Sequence, residues 1–349
     1  MRSLRASLSE VGWQRLVFSL VVLVTLGLFG LIGVVLLQPD LIGGLLGQNA
    51  AAHAGQHFRS LDHRIHDLTF SFLFGTAVVG MVAQFRTPSK NVAGQLMAVI
   101  PWVALVLVFP LTNYWVARGT GFVIVATAVF GGLTLLATIL HPTGRDLFSS
   151  FSVSRVNRVM LALVVIAAMP LLAFASTNIG LQRTVTNQHV DLGHYGFMAA
   201  FSLTVIGVGL LASLRPHGWR LTAWVAGFLP ALLGLASVVF PVDSNVGLVW
   251  ALAAVAWGVV FVAAAELTRA THIADPSLNL DTGADTRRGP DRASTTSTPP
   301  WVMPSAIIAI VLVLLFVIMH LTGGGLGGHI PHSSVTEPRG AEKVGFRSR

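Results

Sequence analysis

Eight stretches of 18 to 27 residues, each free of Asp, Glu, Lys and Arg, fill most of the first 267 positions: 16–39, 68–85, 91–117, 119–144, 159–182, 192–214, 221–242 and 244–265. At ~1.5 Å per residue a helix of about 20 residues crosses the roughly 30 Å hydrocarbon layer of a bilayer. Lipid offers no hydrogen-bond partner to an exposed backbone, so an apolar run of this length is expected to be helical. A ninth run, 301–321, follows a polar segment. The chain is therefore expected to be all-α, a polytopic membrane protein with nine spans. Composition excludes the soluble alternative: charged side chains make up 10 % of the chain and hydrophobic ones 54 %, where a soluble surface needs about 25 to 35 % charge.

Basic residues set the orientation. With the N-terminus inside, fourteen Lys and Arg from Arg2 to Arg292 fall in cytoplasmic segments and four, Arg59, Arg64, Arg118 and Arg183, in outer loops. That bias satisfies the positive-inside rule and implies a multi-pass plasma-membrane protein with a cytoplasmic N-terminus. Arg339, Lys343, Arg347 and Arg349 follow the ninth span and would lie outside. The first run exceeds the ~7 to 15 residue core of a signal peptide and is expected to be a retained anchor. The net charge of +8 is spread between apolar runs rather than gathered on one face with aromatics. A nucleic-acid partner is therefore excluded, leaving the lipid bilayer and unidentified membrane proteins. Without cysteine there is no disulfide or thiolate metal site.

An internal repeat organises the spans. The segment HDLTFSFLFG from His66 is similar to HYGFMAAFSL from His194, and Arg86 and Pro101 match Arg215 and Pro230 at a shift of 129. An even number of spans per copy makes the two units parallel, related by an axis along the membrane normal. The expected division is a four-helix unit at 1–150, a second at 151–267, a disordered cytoplasmic linker at 268–300, the ninth helix at 301–321 and a disordered tail at 322–349.

Nine of twelve histidines fall on the outer side in this topology: His53, His57, His63, His66, His189, His194, His320, His329 and His332. His63 and His66 are three residues apart, as are Asp191 and His194, a spacing that shares one helix face. If both pairs turn inward they assemble three imidazoles and a carboxylate, a donor set for copper, zinc or iron. His66 and His194 could equally be axial ligands of haem. Asp62, Asp67 and His189 are candidate partners orienting the rings. The competing reading is that these residues cap helices at the water interface. His141, followed by Pro142, is expected to serve a helix end.

No ionisable residue lies near the centre of the first eight spans, which argues against a proton-driven transporter. Pro101, Pro170 and Pro230 sit within spans three, five and seven and leave a permease or a non-catalytic membrane subunit or assembly factor as alternatives to a redox or cofactor-handling protein. Two parallel four-helix units with a histidine at the entrance of helices two and six resemble the layout of the haem A synthase family, the matching residues being His66 and His194. The resemblance implies a membrane haem protein. Where that family has further haem-ligating histidines, this chain has Gly119 to Phe122 and Ser244 to Gly247, so the family activity is not carried over.

Overall fold

The computed structural model describes residues 2–37, 64–85, 87–112, 121–147, 151, 155–241 and 246–274. The expected ninth span, the tail, His53, His57, Asp62, His63, His320, His329 and His332 lie outside these residues. Eight long helices account for the eight apolar runs: α1 (Arg2–Leu37), α2 (Arg64–Val82), α3 (Val92–Val108), α4 (Gly121–Ile139), α5 (Arg158–Thr184), α6 (His194–Ser213), α7 (Trp219–Val239) and α8 (Leu248–Ala274). No strand occurs among the described residues. Seven of these helices are long and apolar enough to cross a bilayer, while the apolar stretch of α4, Ile124–Ile139, is shorter.

The prolines do not end their helices. Pro101, Pro170 and Pro230 lie inside α3, α5 and α7, which continue past them. Helix α8 also outruns the expected boundary at 267, extending to Ala274 through the first residues assigned to the linker. Local bonds explain the extension: the Thr268 hydroxyl donates to the Ala264 carbonyl and accepts from Asn157 Nδ2 at 2.7 Å. Arg269 lies 3.6 Å from Glu266 one turn earlier. Asn157 is itself the N-cap of α5, its Oδ1 accepting from the amides of Val159 and Met160, so one side chain ties the start of α5 to the end of α8.

Helix α1 packs on α2 and α4, and α3 on α2 and α4; α6 packs on α5 and α7, and α8 on α5 and α7. The two groups meet through α2 and α3 against α6 and α7. Helix α6 sits at the centre, with 78 % of its span buried. Aromatic rings fill the space among α1 to α4: Phe29 stacks on Phe130 at 4.3 Å, and Trp102 meets Phe74 edge-on at 5.3 Å. Helices α7 and α8 approach at backbone contact. A Cβ on Gly227 would stand 2.7 Å from the Gly258 carbonyl oxygen, and one on Gly258 would collide with the carbonyl of Gly227. Trp257 Nε1 donates to the Leu163 carbonyl at 3.0 Å, crossing from α8 to α5.

Helices α2 and α6 run side by side in the same direction. Their N-termini meet at His66 and His194, whose ring centroids are 5.1 Å apart. At the opposite end the turns that follow them meet as well, the Ala93 amide donating to the His217 carbonyl at 2.9 Å. Gly218 holds a left-handed φ of 84° there, and a Cβ on it would reach within 2.9 Å of Asn91 Cα.

The same end contains His141, fully buried, with its ring edge-on to Phe18 at 5.2 Å. Nδ1 lies 2.6 Å from the Thr143 hydroxyl and accepts from the Thr143 amide at 3.3 Å, while Nε2 faces Gln84 Oε1 at 3.3 Å. The Gln84 amide donates in turn to the carbonyls of Gly80 and Asn91. His141 thus joins helices rather than serving only the end of α4, and burial lowers its pKa to about 4.

Candidate metal site

Three imidazoles converge where α2 and α6 begin. His66 is the third residue of α2 and His194 the first of α6; both are 4 % exposed. His189 comes from a one-turn helix, Gln188–Asp191, just before α6 and is half-buried. The rings of His66 and His189 stack at 4.6 Å with planes 27° apart, and those of His66 and His194 at 5.1 Å with planes 23° apart. His189 Nδ1 and His194 Nδ1 stand 3.2 Å apart. One nitrogen from each ring lies within 4.8 Å of the others.

Local sequence explains how His189 reaches this position. Asn187 caps the one-turn helix, its Oδ1 accepting from the Val190 amide at 3.1 Å, and its Nδ2 donates to the Tyr195 hydroxyl at 3.3 Å. Gly193 then turns the chain with a left-handed φ of 73°, a conformation costing an L-residue ~1 to 2 kcal/mol. Gln182, 3 % exposed near the end of α5, holds both sides of that turn. Its Nε2 donates to the Val190 carbonyl at 2.8 Å and its Oε1 accepts from the Gly196 amide at 3.3 Å. Tyr195 closes the floor, its ring edge-on to His66 at 5.8 Å.

Of the residues expected to form a site, His66 and His194 are brought together. Asp191 is exposed and stands outside the three-residue group, and Asp67 is half-buried on α2, also outside it. His63 lies beyond the described residues. His189, expected only to orient a neighbouring ring, is the third member. Its five-residue separation from His194 carries no helical periodicity; the fold-back at Gly193 makes the contact.

The set suits an ion better than a macrocycle. Imidazole nitrogens bind zinc at about 2.0 to 2.1 Å, which in tetrahedral geometry places two of them roughly 3.4 Å apart. The His189–His194 pair, at 3.2 Å, already has that separation. The widest distance in the group, within 4.8 Å, would need to close by about 1.4 Å around a shared tetrahedral ion. Two axial ligands of haem must point end-on at the iron from opposite faces of the porphyrin. His66 and His194 instead lie side by side with nearly parallel planes, leaving no gap for a ring between them. The interior of α1 to α4 is occupied by Phe29, Phe74, Trp102 and Phe130.

No protein-family model, curated protein or solved structure matches this chain.

Proposed function

We propose that this is a multi-pass plasma-membrane protein holding one transition-metal ion, zinc, copper or iron, on His66, His189 and His194, in a redox or metal-handling role. The observation that carries the reading is the convergence within 4.8 Å of three imidazoles, one from each of two parallel helices and one from the one-turn helix that precedes α6. Three nitrogen donors without thiolate match the preferences of these metals and not those of calcium or magnesium. The positive-inside bias of the sequence orients the site outward and the N-terminus to the cytoplasm. The side-by-side, same-direction course of α2 and α6 supports two parallel four-helix units, α1 to α4 and α5 to α8, with the histidines at the seam. Our reading takes the arrangement of helices from the haem A synthase resemblance and takes an ion, rather than haem, from the ring geometry.

Gln182 and Asn187 are the positioning residues, holding the His189 turn against α6 so that a metal need not order it. Elemental analysis of the detergent-purified chain, after loading with Zn²⁺, Cu²⁺ or Fe²⁺ and removal of excess, tests the proposal. About one ion per chain is expected, lost in His194→Ala and His189→Ala. A Soret band in the visible spectrum, or no retained metal, refutes it.

A further inference from the structure

At the end of the bundle opposite the histidines, the turn between α6 and α7 holds a strained arginine. Arg215 has a φ of 53°, alone among the described non-glycine residues in the left-handed region, a costly conformation for any side chain with a Cβ. Its guanidinium is half-buried and lies over the Trp219 ring, 5.1 Å from the centroid. A second guanidinium is held beside it. The Asn157 amide donates to the Ser213 carbonyl at 2.8 Å, which pins the segment entering α5 against the end of α6, and Arg155 in that segment is close enough for its charge to act on Arg215. We propose that Arg155 and Arg215, with the Trp219 ring, bind the phosphate of an anionic lipid headgroup. This inference is independent of the metal reading, because the 20 residues of α6 separate the two places by roughly 30 Å.

Charge and strain both call for an anion here. Burial and the positive charge of Arg155 lower the Arg215 pKa from its ordinary value, the mark of surroundings that favour added negative charge. Glu266, the carboxylate of α8 at this end, is already engaged by Arg220 at 2.9 Å and by Trp224 Nε1 at 2.8 Å. Backbone strain that a glycine would relieve is kept where the side chain has a task. A guanidinium offers phosphate oxygens a planar fork of N–H donors, and stacking on an indole turns that fork's edge away from the ring. Depth selects a lipid as the source of the phosphate. Helix α6 ends and α7 begins at this turn, so the pair stands where spanning helices leave the hydrocarbon and meet the headgroups, the level that Trp favours.

Native mass spectrometry of the full chain, released from detergent micelles containing phosphatidylglycerol or phosphatidylcholine, counts the lipids retained. One tightly held phosphatidylglycerol is expected, weakened about five-fold by each of Arg155→Gln and Arg215→Gly. Glycine accepts the left-handed φ, so Arg215→Gly should leave the thermal midpoint unchanged or raise it, which separates loss of lipid from loss of fold. Arg183→Gln, at the other end of α5, should retain the lipid as the native chain does. Equal retention of the two lipids, or phosphatidylglycerol held equally by native and substituted chains, overturns the inference. Binding of inorganic phosphate that phosphatidylglycerol fails to displace assigns the pair to a free anion and also overturns it.

Discussion

His141 couples the stability of the bundle to protons: the expected run 119–144 included it, but the apolar helix α4 ends at Ile139, which leaves His141 beyond the spanning segment. Its ring is fully buried, and desolvation holds its pKa at about 4 against the ordinary 6.5. Between those values the unfolded chain binds a proton that the folded chain refuses. The stabilisation from the neutral ring is therefore complete above pH 6.5 and is lost as pH falls toward 4. The full interval, 6.5 minus 4, corresponds to about 3 kcal/mol at most, of which about 2 kcal/mol is lost by pH 5. The neutral ring accepts from the Thr143 amide at Nδ1 and faces Gln84 with Nε2, whereas an imidazolium would oppose an N–H to that amide. Other groups titrate in this range, so the measurement is a comparison. Denaturant unfolding in detergent, followed by tryptophan fluorescence, is run at roughly pH 7.5 and pH 5 on the native chain and on His141→Gln, which cannot be protonated there. The native chain should lose about 2 kcal/mol more than the variant. Equal losses would refute the assignment of a neutral, desolvated ring.

At the α7–α8 seam, Gly258→Ala drives a Cβ into the Gly227 carbonyl and should cost about 1 to 3 kcal/mol by overpacking, lowering the thermal midpoint in detergent. Gly132→Ala, where a Cβ meets nothing within 4 Å, should leave the midpoint unchanged or raise it. Gln182→Leu removes both bonds that hold the His189 turn; zinc affinity, followed by competition with a chromophoric chelator, should fall about 10- to 100-fold. Asn157→Ala deletes the α5 cap and the link to Thr268, with an expected loss of about 1 to 2 kcal/mol and earlier proteolysis after α8.

The helices were legible because lipid imposes a simple rule: a charge-free run long enough to cross must satisfy its own backbone. Each of the eight runs corresponds to a helix. What varied were the ends, set by side chains rather than hydropathy. Helix α8 continues past 267, where Thr268 and Arg269 find partners, and the helices holding Pro101, Pro170 and Pro230 run on past them.

Among the site residues, the expected correspondence of HDLTF and HYGFM, 128 residues apart, pairs His66 with His194, and both stand in the first turn of their helices. His189 could not be found that way. Its contact depends on one left-handed glycine, an asparagine cap and a glutamine from the preceding helix, each unremarkable in sequence. The exclusion of Asp191 has the same origin, since three-residue spacing implies a shared face only if one helix continues, and here Gly193 breaks it. Hydropathy along the chain thus determined which segments enter the membrane. The folded packing decided which imidazoles meet, because ligand convergence depends on distances of a few ångströms between elements, set by caps, turns and close backbone contacts.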